Sequence, residues 1–171
     1  MPDQFDQLST RDAVITIRSL GRRFDAVAGA ALSDQAVFSR LDAVGPGGHS
    51  LPDLAIAASQ ALAFLGNEIE RIIDTERPVV PRAVVDPDER TFDEGPPGRA
   101  TIADAVRAIQ DEASRLGDRL DHLEARAWTR EAEVVGGGRA PLLDVVREAA
   151  RTGITLLRAA EAQLEWLRST S

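Results

Sequence analysis

Apolar and small residues recur at alternating steps of three and four residues in four long stretches of this chain. That spacing lines one side of an α-helix, which completes a turn in about 3.6 residues. The predicted helices cover about residues 9–31, 50–74, 101–123 and 141–168. The last helix would be about 40 Å long at roughly 1.5 Å per residue. Its predicted inner positions are Leu143, Val146, Ala150, Gly153, Leu157, Ala160, Leu164 and Leu167.

Residues suited to helix starts precede these stretches. Ser9, Ser50 and Thr101 stand where the first three helices would begin, and serine and threonine are favoured N-caps. Pro141 suits the first turn of the last helix, where its missing N–H would be unpaired anyway. A short extra helix, opened by Ser33, is predicted for residues 33–42.

Four amphipathic helices with such inner faces are typical of an up-down four-helix bundle. We therefore predict an all-α fold in which residues 1–171 form one domain. Burial of the four apolar faces would drive folding, at about 25 cal/mol per Å² of apolar surface.

The connection between the second and third helices is long and rich in proline. Residues 75–99 have no helical periodicity, and a loop of this length is usually functional or mobile. Val79–Val80 and residues 83–85 could pair as extended chain or lie over the bundle as an apolar strap. The strap is the preferred interpretation, because proline interrupts strand ladders.

A second connector, residues 124–140, combines Trp128, a valine pair and three consecutive glycines. We expect it to be structured, with a short strand or hairpin before the last helix. The glycines with the adjacent Arg139 could bind an anion through backbone N–H groups. A turn is the preferred interpretation, since the spacing matches no phosphate-binding loop.

Composition excludes several kinds of chemistry. The chain has no cysteine, which excludes disulfides, thiolate metal sites and cysteine nucleophiles. All 20 basic residues are arginine, so lysine Schiff bases and P-loops are excluded as well.

Charge and hydropathy bear on partners and location. The formal net charge is −8, with arginines interleaved among acids, and nucleic-acid binding needs a concentrated basic face. No apolar run approaches the roughly 18 residues of a membrane span, and the acidic start of the chain lacks signal-peptide features. We expect a cytoplasmic protein that binds neither nucleic acid nor membrane.

The two histidines offer little chemistry. His49 lies in a predicted loop, where an exposed side chain is the preferred interpretation. His122 is placed on the outer face of the third helix, beside Asp118, and a weak ion pair with that residue is expected. No nucleophile–base constellation can be assembled from these two residues.

The order of these features resembles a known family. A glycine-containing loop, an Ala/Leu-rich second helix, a proline-rich crossover, the lone Trp128 and a glycine-rich turn come in sequence. The best local matches are Trp128, the run 135–139 and residues 142–157. Over about residues 9–168 the chain resembles the DinB-like superfamily, and within it actinobacterial proteins similar to the N-terminal domain of mycothiol-dependent maleylpyruvate isomerase.

The resemblance implies a divalent metal held by three histidines, one from the second helix and two from the last. Those positions fall near Ala57, Arg151 and Thr155, and none of them is histidine. Neither residues 51–74 nor residues 141–169 contain a histidine. The expectation is therefore that the family's metal site is lost and that the chain holds no metal and no cofactor.

Small side chains cluster where the resemblance places the ligands. They are Ala149, Ala150 and Gly153 on the last helix and Ala57, Ala58, Ser59 and Ala61 on the second. Close helix–helix approach is the preferred interpretation, and a residual inter-helix pocket is the alternative. The residues predicted to bind a ligand there are Ser59, Gln60, Glu148, Arg151 and Thr155. An arginine in such a pocket could bind a ligand carboxylate bidentately.

Three functions follow from these observations. The favoured one is a metal-free DinB-like bundle, non-catalytic or binding a small molecule or thiol in the pocket. The first alternative is a mycothiol-dependent S-transferase or isomerase with an atypical site, as the resemblance implies. The second is a homodimeric interaction module, in which Trp166 and Leu167 contact a second subunit instead of packing on the bundle end.

Overall fold

The computed structural model describes residues 3–91 and 102–170, most of which lie in helices. The helices are α1 (Thr10–Ser33), α2 (Gln35–Phe38), α3 (Leu51–Asp74), α4 (Ile102–Asp121) and α5 (Leu142–Ser169). The predicted all-α four-helix bundle is confirmed, with α1, α3, α4 and α5 as its long helices. Within the described ranges no helix is long and apolar enough to cross a bilayer.

Two of the predicted N-caps are present. The Asp12 N–H donates to the Ser9 hydroxyl at 3.1 Å and so satisfies a free N–H at the start of α1. At α3, the Asp53 N–H donates to the Ser50 hydroxyl and the Ser50 N–H donates to the Asp53 carboxylate, which makes a capping box. The predicted cap at Thr101 lies outside the described residues.

The predicted start of the short helix is wrong by one residue. Ser33 is the last residue of α1, where its hydroxyl donates to the Ala30 carbonyl at 3.3 Å. Asp34 caps α2 instead, and its carboxylate accepts from the Ala36 and Val37 N–H groups. The aspartate side chain therefore satisfies two free N–H groups at the start of α2.

The consecutive long helices α1 and α3 lie diagonally across the bundle, and so do α4 and α5. Helix α1 packs mainly against α4 and α5, and α3 packs mainly against the same two helices. The crossover between α3 and α4 therefore joins neighbouring helices, whereas α1 and α3 face each other across the core.

The predicted inner positions of the last helix are buried except for Leu143, which is half-buried while the preceding Leu142 is fully buried. Leu116 of α4 and Leu157 of α5 are fully inaccessible to solvent. Gly153 has a packing reason, since a Cβ there would lie 2.4 Å from a methyl carbon of Leu20 on α1. The small residue thus allows close helix approach, as preferred from the sequence, although its neighbour is the first helix.

The preferred interpretation of the crossover as a strap is wrong for Val79–Val80. These residues form strand β1, which pairs in parallel with β2 (Glu131–Val134), and β2 pairs in antiparallel with β3 (Arg139–Pro141). The flanking prolines do not interrupt this ladder. The Pro78 carbonyl accepts from the Glu133 N–H at 3.0 Å, a role that needs no proline N–H.

The predicted hairpin in the second connector is confirmed. Strands β2 and β3 are joined by Gly136, Gly137 and Gly138, whose φ angles are +87°, +111° and +99°. Glycine is the residue that adopts such angles without steric cost. Pro141 ends β3 and caps α5, so it precedes the first turn of that helix instead of lying inside it.

Two further segments complete the bundle ends. Residues 82–84 and 87–89 form single 3₁₀ turns after β1, with Val84 buried.

Near the end of α5, Trp166 is half-buried and the Arg40 guanidinium lies 5.6 Å from its ring centroid, while Leu167 is fully buried. Both residues pack within the chain, and the homodimer contact stays a prediction.

Candidate functional site

A cleft of about 230 Å³ lies at the start of α5. The 3₁₀ turn Gln4–Gln7 forms one side, and the segment after β1 and strand β3 form the others. We call it the α5 cleft; its lining residues are Asp6, Val84, Val85, Arg139, Ala140, Pro141, Asp144, Val145, Arg147, Glu148 and Arg151. Apolar walls and several charged groups therefore face the same space.

A buried charge network closes the inner side of the cleft. The Arg90 side chain is 3% exposed and the Glu148 side chain is 10% exposed. Arg90 Nη2 donates to Glu148 Oε1 at 2.8 Å, and Arg90 Nη1 donates to the Thr152 hydroxyl at 2.8 Å. The remaining Arg90 donors reach the Ala83 and Val84 carbonyls. These four hydrogen bonds of Arg90 hold the crossover segment against α5.

Arg151 completes this network on the cleft side. Its Nη1 donates to Glu148 Oε2, so each oxygen of that carboxylate accepts from a different arginine. Its Nε donates to Asp3 Oδ2 at 2.8 Å and its Nη2 donates to Asp6 Oδ1 at 2.5 Å. The guanidinium also lies 5.8 Å from the ring centroid of the buried Phe5.

The charges of the network stabilise one another. Burial alone would lower the pKa of Arg151, but hydrogen bonds to Glu148 and Asp3 outweigh it and raise that pKa. The hydrogen bond from the Phe5 N–H lowers the pKa of Asp3, desolvation opposes it, and the hydrogen bond and charge of Arg151 add to the lowering. Both groups are therefore ionised at neutral pH.

The predicted binding residues separate into two groups. Glu148 and Arg151 meet at the α5 cleft. Thr155 is exposed, and Ser59 and Gln60 are half-buried on α3 and do not line this cleft. The Ser59 hydroxyl donates to the Ile56 carbonyl within its own helix.

Sequence reasoning missed Arg90, Thr152 and the two aspartates on Arg151. Thr152 follows Glu148 by four residues, a spacing that places both on one helix face, and its hydroxyl donates to Glu148 at 3.1 Å. Asp3 and Asp6 are three residues apart, a spacing that brings side chains together on a single turn. No sequence signal links Arg90 to Glu148.

The histidines take no part in the cleft. His49 is exposed in the loop before α3, as expected. The predicted ion pair between His122 and Asp118 is wrong. Nδ1 of His122 contacts the Asp118 backbone carbonyl at 2.7 Å, while the Asp118 carboxylate accepts from Arg18.

The residues at the positions that the resemblance assigns to metal ligands do not fit a metal. Ala57 has no donor atom, Arg151 carries a positive charge, and Thr155 is exposed. Transition metals need imidazole, thiolate or carboxylate ligands. Across residues 3–91 and 102–170, no group of three or more such side chains could hold a metal ion.

One further buried acid lies on α3. Glu68 is 6% exposed, its Oε2 has no hydrogen-bond partner in the described part of the chain, and Arg71 lies 3.5 Å from its Oε1. Burial raises the pKa of Glu68, and the charge of Arg71 offsets this only in part.

Comparison with known proteins shows a likeness at the level of fold. No protein-family model and no characterised protein sequence matches the chain. Among solved structures, the chain is similar to YfiT from Bacillus subtilis, described as a probable metal-dependent hydrolase with an unusual four-helix bundle topology. The likeness covers 97% of this chain and 94% of YfiT, with a TM-score of 0.66 and 14% sequence identity. It supports the conclusion that this chain has a four-helix-bundle fold.

Proposed function

We propose that this protein is a metal-free DinB-like bundle that binds a small molecule in the α5 cleft. The observation that carries the proposal is the state of Glu148. Both of its oxygens accept from buried or half-buried guanidinium groups, those of Arg90 and Arg151. A carboxylate held in this way forms a fixed wall of the cleft, and it attracts a cation weakly because two guanidinium groups already balance its charge.

The proposed loss of metal chemistry follows from the same residues. A cation beside Glu148 would lie next to two positive guanidinium groups, and it would gain no imidazole in return. The described residues offer no substitute cluster. The chemistry attributed to YfiT is therefore not extended to this chain.

The walls of the cleft indicate the kind of molecule that fits. Val84, Val85 and Val145 offer apolar surface, while Arg139, Arg147 and Arg151 bring positive charge. All three arginines have acidic partners inside the chain. Arg147 pairs with Asp144 and Arg139 with Glu131. Arg151 pairs with Glu148 and with Asp3 and Asp6. A small molecule with an apolar body and a carboxylate best complements this combination.

The proposal is tested by blocking the cleft. Succinate, benzoate and mycothiol are titrated into the protein, and binding is followed by calorimetry and by amide chemical shifts. Val85 lines the cleft and is 49% exposed, so Val85→Trp can fill the space without disturbing the core. Val44→Trp, at an exposed valine outside the cleft, is the matched control.

We expect at least one of the three compounds to bind the wild type and Val44→Trp with similar affinity. Val85→Trp should bind it more weakly by at least about tenfold, the loss of about 1.4 kcal/mol of binding free energy. Equal binding by both tryptophan variants, or no binding of any of the three compounds, would contradict the proposal. Binding of mycothiol only when zinc is present would favour the thiol-transferase alternative instead.

A further inference from the structure

The Arg151 guanidinium has an inner and an outer edge, and different partners occupy them. Its Nη1 faces inward to Glu148. Its Nε and Nη2 face outward, to Asp3 and Asp6 respectively. The outer edge offers two parallel N–H groups, which is the geometry that binds one carboxylate bidentately. Two separate carboxylates occupy that edge here, with one hydrogen bond each.

Both aspartates belong to one short segment that rests on α5. The 3₁₀ turn Gln4–Gln7 contacts that helix, with Phe5 buried under the guanidinium. The segment is also held by Arg147, whose Nε and Nη2 donate to the Leu8 carbonyl at 2.9 and 2.7 Å. Its anchors are therefore one apolar side chain and one backbone carbonyl, neither of which is on the Arg151 edge.

The two contacts with Arg151 are individually weak. The Asp3 and Asp6 side chains are 45% and 55% exposed. Ion pairs at such exposure contribute about 0–1 kcal/mol each. Their persistence comes from the tether, since a short linker keeps a group at an effective concentration of about millimolar or higher.

We propose that the segment of residues 3–7 is a built-in competitor for the ligand of the α5 cleft. Asp3 and Asp6 occupy the carboxylate-binding edge of Arg151, and a ligand carboxylate binds by displacing them. This inference rests on the proposed function, and it assigns the ligand class and adds a control on access to the same cleft.

The exchange is favourable in charge and geometry. In the structure three carboxylates, those of Glu148, Asp3 and Asp6, surround the Arg151 guanidinium. One ligand carboxylate restores both outer hydrogen bonds, and the two displaced aspartates return to water. Asp6 also lines the cleft, so its departure widens the entrance next to Arg151.

The test compares succinate binding to the wild type and to Asp3→Asn/Asp6→Asn at fixed ionic strength. Asparagine retains the side-chain oxygen that caps the turn at Asp3, so the backbone conformation is preserved. Asp25→Asn/Asp111→Asn removes two exposed acids elsewhere and controls for the change in net charge. Arg151→Gln reports whether the bound succinate uses the proposed arginine.

We expect Asp3→Asn/Asp6→Asn to bind succinate about tenfold more tightly than the wild type, as the loss of two exposed ion pairs allows. Asp25→Asn/Asp111→Asn should bind like the wild type, and Arg151→Gln should not bind. In the wild type, saturating succinate should accelerate hydrogen exchange at the Phe5, Asp6 and Leu8 amides.

The contrary outcomes are distinct. Suppose that Asp3→Asn/Asp6→Asn binds succinate like the wild type and like its charge control, while Arg151→Gln loses binding. The proposal that residues 3–7 compete with the ligand is then wrong, and the proposed function stands. If no protein binds succinate, the inference falls, and the proposed function falls with it only if benzoate and mycothiol also fail. Should Asp3→Asn/Asp6→Asn not fold, the wild-type exchange decides, because unchanged exchange at saturating succinate overturns the inference.

Discussion

Arg90 Nη2 lies 2.8 Å from Glu148 Oε1, although 58 residues separate the two in the chain. The pair joins the end of the described crossover to the second turn of α5, and both side chains are almost completely buried. It is the contact through which the loop segment after α3 becomes part of the cleft wall.

Removal of the Glu148 carboxylate should strongly destabilise the protein. Glu148→Ala leaves the buried Arg90 guanidinium without its counter-ion, and loss of one partner of a buried pair costs about 3–5 kcal/mol. Urea unfolding measures this cost. Glu165→Ala on the same helix removes an exposed partner of Arg168 and should cost less than about 1 kcal/mol. Similar costs for the two variants would show that the Arg90 pair does not hold the crossover.

A charge in the middle of α4 should prevent stable packing. Leu116 is fully buried between helices, so Leu116→Asp places an unpaired carboxylate in the core. We expect a loss of at least about 4 kcal/mol in the free energy of unfolding. Ser114→Asp, at an exposed position of the same helix, should change it by no more than about 0.5 kcal/mol. An unchanged melting temperature for Leu116→Asp would mean that this face is not core.

The hairpin between β2 and β3 depends on glycine conformation. Gly137 has a φ of +111°, and a Cβ added there would meet no atom within 4 Å, so backbone strain alone decides the cost. Gly137→Ala should destabilise the protein by about 1–3 kcal/mol. Gly47→Ala has the same open surroundings without a positive φ, and it should be neutral or slightly stabilising in thermal unfolding. Equal melting temperatures for the two variants would contradict this role of the turn.

Glu68 should make stability depend on pH. Since burial raises its pKa in the folded state, folding favours the protonated acid. The free energy of unfolding should therefore fall as the pH rises from the ordinary glutamate pKa, about 4.3, through the raised pKa of the folded state. Glu68→Gln cannot ionise, so it should gain stability relative to the wild type over that interval and differ little below it. Urea unfolding from about pH 4 to about pH 8 measures the difference, with exposed Glu165→Gln as control. A difference between wild type and Glu68→Gln that does not change with pH would contradict the assignment.

The long helices could be predicted because their signals are local. The repeat that includes Ile109 and Leu116 defines one face of α4, and the Ser50–Asp53 pair marks the start of α3 within four residues of chain. Strand β1 could not be predicted in the same way. It is two residues long and pairs with Glu133 and Val134, more than fifty residues later in the sequence.

The candidate site was predictable only in part, for a similar reason. Glu148 and Arg151 belong to one helix, and their spacing places them together. Arg90, Asp3 and Asp6 reach them from distant segments, and nothing in the local pattern indicates which acid meets which arginine. The resemblance to the family predicts Thr155 in the ligand pocket, whereas in the structure its side chain lies on the exposed face of α5.

The central proposal is that hydrogen bonds from two arginines engage both oxygens of Glu148, so that residues 3–91 and 102–170 offer no metal site. The most direct measurement is the metal content of protein purified without an affinity tag, incubated with zinc or nickel and then desalted. The account predicts far less than one equivalent of either metal per chain and no rise in melting temperature on adding them. One retained equivalent of either metal per chain would contradict it.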